Sequence, residues 1–216
     1  MSEIKALKNK HKGKIGYILG NGPSLKNINT KRLKKEITFG CNGIFNKKDL
    51  DVTYYMIEDS FAIEDNLKEI KKYNAKKKFF PSIYRNYFKK NNKNNIFFLM
   101  NTGFYQKYSS NYNIPRFSTD CSEKIYCGQS VVYMLLQLAF YMGFKEIRLL
   151  GVDLEYKIPK DAKIKSNMIY SYNDDENHFY KTKNRRWKKP EINKFKRCLK
   201  FAEEIYKWNK RKIKRI

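Results

Sequence analysis

The 216-residue chain is predicted to fold as a single α/β Rossmann-like domain, a mostly parallel sheet flanked by helices with a lid-like loop before the C-terminal helix. Three observations predict it. Short apolar runs ending in glycine or a polar residue alternate with segments of helical spacing. One segment, Gly128 to Gly143, is apolar almost all round, as a buried helix must be. Polar groups fall at the carboxyl ends of the predicted strands, where open parallel sheets take their ligands.

The elements follow in order. Ile15 to Leu19 reads as a buried first strand that ends in the turn Gly20 to Ser24. Leu25 to Lys35 holds a short helix. Ile37 to Cys41 is a second strand, closed by Asn42-Gly43, and Val52 to Ile57 is a third, ending at Glu58-Asp59. Ile63, Leu67 and Ile70 give Ile63 to Tyr73 a helical face. Lys77 to Pro81 and Ile96 to Met100 are further strands, and Asn101 to Tyr126 has no period. The apolar helix then stops at Gly143 and leads into a strand, Ile147 to Leu150, that ends at Gly151-Val152-Asp153. Residues 156–189 are polar and without period, as expected of a lid. Pro190 opens a last helix, with Lys207, Lys210, Arg211, Lys212, Lys214 and Arg215 near its end.

Length and composition bound the function. The chain suits one domain, residues 1–216, with a real core and a basic tail over 1–13. The four cysteines form no C-x-x-C pair, and His11 and His178 stand far apart, so no metal site is expected and the thiols should be free in a reducing compartment. There is no apolar leader, and the run from Val131 to Met142 is too short to span a bilayer. A cytoplasmic protein is expected, with peripheral contact at the inner face of a membrane as an option. The net charge of +26 suits a polyanionic partner, but lysine is abundant throughout, and composition bias explains the charge equally well. No RNP motif, helix-turn-helix or zinc finger is present, so specific nucleic acid is not expected.

Several groups can carry chemistry, each with a plainer alternative. Gly20, Asn21, Gly22 and Ser24 form a turn able to approach an anion, or simply a strand-to-helix turn. Asn42 can read a base edge or hold a left-handed turn. Glu58 and Asp59 can bind a metal or sugar hydroxyls, or be a solvated loop or helix-capping pair. Asp153 can bind ribose or cap. His178 suits general-base work near neutral pH, or is only exposed. Tyr156 and the lid tyrosines Tyr170, Tyr172 and Tyr180 can hydrogen-bond a leaving phosphate. Arg186, within Arg185-Arg186-Trp187, can clamp an anion or anchor the lid.

Taken in order, Ile18-Leu19-Gly20-Asn21-Gly22-Pro23-Ser24-Leu25, Gly40-Cys41-Asn42, Gly128-Gln129-Ser130-Val131-Val132-Tyr133-Met134, Leu150-Gly151-Val152-Asp153 and Asn177-His178-Phe179 resemble the bacterial MptE-like family. Those motifs are similar in turn to the family-42 sialyltransferases of cell-surface glycan synthesis. The resemblance implies a glycosyltransferase that moves a sialic-acid-like sugar from a nucleotide-activated donor, a CMP-sugar by preference, to a hydroxyl on a glycan acceptor, inverting the anomeric centre without a metal. It implies that Gly20, Asn21, Gly22, Ser24, Asn42, Gly128, Ser130 and Asp153 hold the nucleotide. His178 would be the base, Tyr156 would act on the leaving phosphate, and Glu58, Asp59 and Arg186 would meet the substrate. No tightly bound cofactor is implied. The alternative is a 6-hydroxymethylpterin diphosphokinase using ATP and magnesium. Gly40-Cys41-Asn42 stands where those enzymes carry an aspartate, so it comes second. A nucleic-acid or anionic-surface binding protein is third, and a homo-oligomer stays open.

Overall fold

The computed structural model describes residues 2–88, 92–172, 176–181 and 185–216. A short helix α1 (Ser2–Lys5) precedes β1 (Ile15–Leu19), 3-10 turns at Pro23–Asn27 and Thr30–Leu33, then β2 (Thr38–Cys41) and β3 (Tyr54–Met56). Helices α2 (Ser60–Asp65) and α3 (Leu67–Lys72) lead to β4 (Lys77–Pro81) and β5 (Asn95–Phe98). A two-stranded pair, β6 (Met100–Asn101) and β7 (Ile125–Tyr126), comes before helix α4 (Val131–Tyr141) and β8 (Glu146–Leu150). Then come β9 (Lys163–Lys165), β10 (Met168–Ser171) and β11 (Arg185–Lys188), helix α5 (Ile192–Trp208) and β12 (Lys212–Arg215).

Among the described residues, seven strands make one parallel sheet in the order β12-β8-β1-β2-β3-β4-β5. The chain walks outward from β1 to β5, then returns to β8 on the other side of β1. The order therefore reverses between β1 and β8. Side chains alternate across the sheet as a strand's period of two requires. Ile18, Phe39 and Met56 face α1, α4 and α5. Leu19, Tyr55 and Phe80 face the 3-10 turns, α2 and α3. Each buried aliphatic or aromatic side chain contributes on the order of 2 kcal/mol.

Helix α4 is buried on every side, as its composition requires. Its one polar residue, Gln137, is also fully buried. Its Oε1 accepts the backbone N–H groups of Ser118 and Tyr126, each at 3.0 Å, and its Nε2 donates to the Tyr126 carbonyl at 2.8 Å. One amide thus ties the aperiodic segment before β7 to the core. Without it two backbone donors would be left unpaired, at a cost of roughly 1–3 kcal/mol each.

The structure corrects several expectations. The helix expected over Leu25 to Lys35 is two 3-10 turns, and the one over Ile63 to Tyr73 is split at Asn66 into α2 and α3. The aperiodic stretch from Asn101 to Tyr126 carries β6, β7 and a 3-10 turn. The lid is no plain loop, because β9, β10 and β11 pair antiparallel within it. The basic end of the last helix is an edge strand: β12 pairs with β8, with Lys214 on Glu146 at 3.2 Å and Arg215 on Glu203 at 3.8 Å. All four cysteines are buried free thiols. Among the described residues, no helix is long and apolar enough to cross a membrane.

Residues 1–13 are not a tail either. Ile4 and Leu7 are buried, and the N–H groups of Asn9, His11 and Gly13 bond the carbonyls of Tyr141, Met142 and Gly143 where α4 turns into β8. The His11 ring lies against Phe144 and 2.7 Å from the Tyr54 hydroxyl. Burial, then Lys10 and Lys14, push its pKa down to about 4. The folded ring therefore stays neutral while the unfolded one takes a proton as pH falls below its ordinary value. That contribution to stability is complete above about pH 6.5 and is lost as pH falls toward 4. Melting temperatures measured from pH 7 to pH 4 should fall more steeply for the wild type than for His11→Asn. Parallel curves would refute the assignment.

Candidate functional site

The site forms at the carboxyl edge of the sheet, where loops from β1, β2, β3 and β8 meet. The first turn serves an internal purpose. Gly20 N–H donates to the Leu150 carbonyl at 2.8 Å and Gly22 N–H to the Gly151 carbonyl at 2.9 Å. A Cβ at Gly20 would overlap the Gly151 carbonyl, and one at Gly22 would overlap the Asp153 carboxylate. These glycines allow the β1 and β8 turns to touch. Asp153 Oδ2 then accepts from the Ser24 N–H at 3.2 Å and the Ser24 hydroxyl at 3.0 Å. The anion seated on this turn is the protein's own carboxylate, so Gly20, Gly22, Ser24 and Asp153 are bound to one another in a clasp.

The cleft opens beside the clasp, over β2 and β3. It has a volume of about 930 Å³ and brings together Asn42, Glu58, Asp59, Ser130, Tyr156, His178 and Arg186 from the expected set. Asn42 sits at φ +44°, with its carbonyl accepting from the Tyr55 hydroxyl at 2.8 Å. Its side-chain oxygen is buried and has no hydrogen-bond partner among the described residues. Ser130 caps α4, its Oγ accepting the Val132 N–H at 3.2 Å. The Ser130 carbonyl also accepts the Tyr133 N–H at 3.0 Å, and the positive end of the helix dipole suits an anion. Gly128 is a packing position, because the Tyr133 ring lies against it. A second cleft, also of about 930 Å³, lies against α5 and contains Asp153 alone of the expected site residues.

His178 belongs to the segment between β10 and β11, and its neighbours seat it. The Asn177 side chain exchanges two 2.7 Å hydrogen bonds with the Lys157 backbone. Phe179 N–H donates to the Asn21 carbonyl at 2.9 Å. The Tyr180 ring lies over Gly43, leaving no room for a side chain there, and its centroid is 5.3 Å from that of His178. Asn21 itself donates through Nδ2 to the Cys41 carbonyl at 2.9 Å, joining the ends of β1 and β2. Its role here is to hold the wall of the site. The acidic run Asn173-Asp174-Asp175 lies outside the described residues, as does the side chain of Arg185.

The two carboxylates at the end of β3 differ. Asp59 caps α2 through the Ala62 N–H at 2.9 Å and stands 3.7 Å from the Lys188 ammonium. Glu58 has the Cys127 thiol 4.0 Å away. Burial, and then repulsion from Asp59, raise the Glu58 pKa to about 7, partly opposed by Lys188. The Arg186 guanidinium spans Glu64 at 3.0 Å and Asp65 at 3.2 Å and lies over the Phe61 ring at 4.7 Å. It anchors the lid to α2, the plainer of the two roles open to it. Sequence reasoning missed Gly43, Tyr105 and Gln129. Only Gly43 carried a signal, being next to Asn42. Tyr105 lies in an aperiodic segment, and it reaches the site because its hydroxyl accepts the Gln129 N–H at 3.1 Å.

The family model described as 6-hydroxymethylpterin diphosphokinase MptE-like matches residues 1–159. No curated protein matches the chain. Among solved structures, the sialyltransferase CstII from Campylobacter jejuni in complex with a substrate analogue, CMP-3FNeuAc, is 18% identical, with 94% of this chain and 80% of that chain covered and a TM-score of 0.50. The same enzyme in complex with cytidine-5'-monophosphate is 19% identical over the same shares, with a TM-score of 0.52. The Maf glycosyltransferase from Magnetospirillum magneticum AMB-1 is 11% identical, with 97% of this chain but 34% of that chain covered and a TM-score of 0.54. These likenesses show a shared, glycosyltransferase-like fold.

Two outcomes test the geometry. Gly43→Ala forces the Tyr180 ring aside and with it His178, so turnover should fall at least tenfold while nucleotide affinity changes by less than a few-fold. Equal losses in both would refute the seat. For Glu58, the folded carboxyl holds its proton up to about pH 7 while the unfolded one releases it near 4.5. Its contribution to stability should therefore be greatest at acid pH and disappear as pH rises through that window. Glu58→Gln should flatten the corresponding fall in melting temperature.

Proposed function

The chain belongs to the MptE-like family, and on that premise we propose that it is a glycosyltransferase, moving a sugar from a nucleotide-activated donor to a hydroxyl acceptor. One observation carries the reading: the Asn42 side-chain oxygen is a buried acceptor without a partner among the described residues, in a cleft that also contains Ser130 at the start of α4 and His178. A nucleobase with an exocyclic amine would satisfy that oxygen, and the positive end of the α4 dipole beside the Ser130 hydroxyl would favour a phosphate. Cytosine is the preferred base, consistent with the CMP complexes of the structural neighbour.

In this reading His178 takes the proton of the acceptor hydroxyl. The oxygen attacks the anomeric carbon from the face opposite the nucleotide, and the bond from that carbon to the phosphate oxygen breaks. The electron pair leaves with the nucleotide, so the configuration inverts. The Ser130 hydroxyl and the α4 N-terminus receive the phosphate charge, and Tyr156 donates to the departing oxygen. Glu58 and Asp59 hold sugar hydroxyls. The donor sugar is sialic-acid-like, and the acceptor is a cell-surface glycan assembled on the cytoplasmic side of the membrane.

The family's description favours a second reading, diphosphate transfer from ATP to a hydroxymethyl pterin. That chemistry uses magnesium, which needs several oxygen ligands. In the cleft Asp59 already caps α2 and faces Lys188. No cluster of three or more metal-ligating side chains occurs among the described residues. Magnesium carried on a nucleotide's phosphates needs only one or two protein carboxylates, and Glu58, Asp65 and Glu191 also line the cleft, so the chelator experiment separates the two readings.

The test compares CMP, UMP, GDP and ATP by thermal shift and then assays transfer with and without EDTA. CMP or a CMP-sugar should stabilise the protein most, and transfer should survive chelation. His178→Ala should lower turnover by about a hundredfold or more with nucleotide affinity nearly intact. AMP release from ATP in the presence of hydroxymethylpterin, abolished by EDTA, would overturn the proposal in favour of the second reading.

A further inference from the structure

A sugar that carries a negative charge meets few free cations in this cleft. Among the described residues four lysine or arginine side chains line it. Lys188 stands 3.7 Å from Asp59 and Lys194 2.7 Å from Glu191, and Arg186 spans Glu64 at 3.0 Å and Asp65 at 3.2 Å. The fourth, Lys189, is exposed, with its backbone N–H on the Asn167 carbonyl at 2.7 Å. Three of the four charges already answer a carboxylate of the protein.

Glu58 offers a different kind of recognition. It lines the cleft, so a ligand can reach it, yet most of its surroundings oppose its charge. Asp59 follows it in the chain. The Cys127 thiol lies 4.0 Å from its Oε2. Tyr84, in the 3-10 turn Ser82–Tyr87, and Tyr105, in the turn Gly103–Tyr105, stand near enough for its charge to act on them. Burial, and then the charge of Glu58, raise the pKa of Cys127, Tyr84 and Tyr105, so these three keep their protons where Glu58 can lose its own. Lys188, from β11, favours the ionised form but is shared with Asp59. Burial, and then Asp59, raise the Glu58 pKa to about 7, which leaves a carboxyl able to donate below that pH.

An O–H donated to a carboxylate is short and charge-assisted, stronger than one donated to a neutral oxygen. Two carboxyl groups at close range cannot both ionise, so one holds the proton between them. A sialic-acid-like sugar carries a carboxylate on its anomeric carbon. We propose that Glu58 is the specificity residue for an acidic donor sugar, its carboxyl O–H donating to the sugar's carboxylate. This rests on the nucleotide-sugar reading above and adds to it the group that selects the sugar. An ionised Glu58 repels the same sugar, so donor binding is coupled to one proton. Affinity is level well below pH 7 and falls about tenfold per pH unit above it.

The experiment measures equilibrium binding of CMP and of the donor analogue CMP-3FNeuAc to the full chain from pH 7 to pH 9. Binding, unlike turnover, does not require His178 to take a proton. The analogue should weaken by roughly fiftyfold over that range, and CMP by less than a few-fold. Glu58→Gln, whose amide donates at any pH, should bind the analogue within a few-fold of the wild type at pH 7 and show no slope. Glu58→Ala should lose at least about tenfold for the analogue at pH 7 and leave CMP nearly unchanged. The same slope for CMP alone, or a slope that persists in Glu58→Gln, would overturn the proposal. So would an affinity that is level to pH 9 and lost in Lys188→Gln, which assigns the sugar to that ammonium. If the wild type binds CMP but not the analogue, this assignment fails and the nucleotide site stands. If it binds neither, the glycosyltransferase reading falls as well.

Discussion

Two parallel strands, β1 and β8, end side by side at the carboxyl edge of the sheet and are clasped together there, and the rest of the site follows from that clasp. Gly20 and Gly22 let the turn after β1 rest on the turn after β8, and Asp153 fastens it through Ser24. In open α/β sheets this reversal point is the usual ligand crevice. Here backbone hydrogen bonds and a carboxylate fill it. The open cleft lies toward β2 and β3, where the Asn42 amide oxygen, the start of α4 and the two carboxylates line it. The clasp also presents the Asn21 carbonyl that receives Phe179, so the segment bearing His178 is referenced to the same rigid point.

The lid is accordingly a built wall. Its antiparallel strands satisfy their own backbone, Arg186 ties it to α2 through two carboxylates and a ring, and Tyr180 rests on Gly43. Exposed ion pairs are individually weak, and Arg186 gains from its planar fork and from stacking. The side chains that line the cleft thus come from separate stretches of chain that only the fold brings together.

Much of the fold was legible because strand and helix leave different periods. The apolar runs at Ile15 to Leu19 and Ile147 to Leu150, the all-round apolar α4 and the amphipathic face of α5 each report burial directly. What failed were elements whose reason for existing lies elsewhere in the molecule. Lys212–Arg215 reads as a charged helix end and becomes a strand because β8 offers an unpaired edge. The described residues before β1 read as a tail and pack because Ile4 and Leu7 are buried in the core, with α1 against β5. Gln137 reads as a flaw in an apolar helix and is the anchor of a distant loop.

For the site, local sequence named the groups, and contact decided their work. Asn42, Glu58 and Asp59 were legible because strand ends present polar groups outward, a matter of period and turn chemistry that short segments carry; His178 and Tyr156 were legible by side-chain chemistry, and Ser130 by motif resemblance. Whether a carboxylate meets substrate or another residue depends on partners 129 residues away for Asp153 and 122 away for Arg186. No local pattern encodes such a pairing. The turn at Gly20 to Leu25 was therefore identifiable from its residues alone, while the discovery that its anion is Asp153, and that the open cleft lies one strand over, belonged to the tertiary structure.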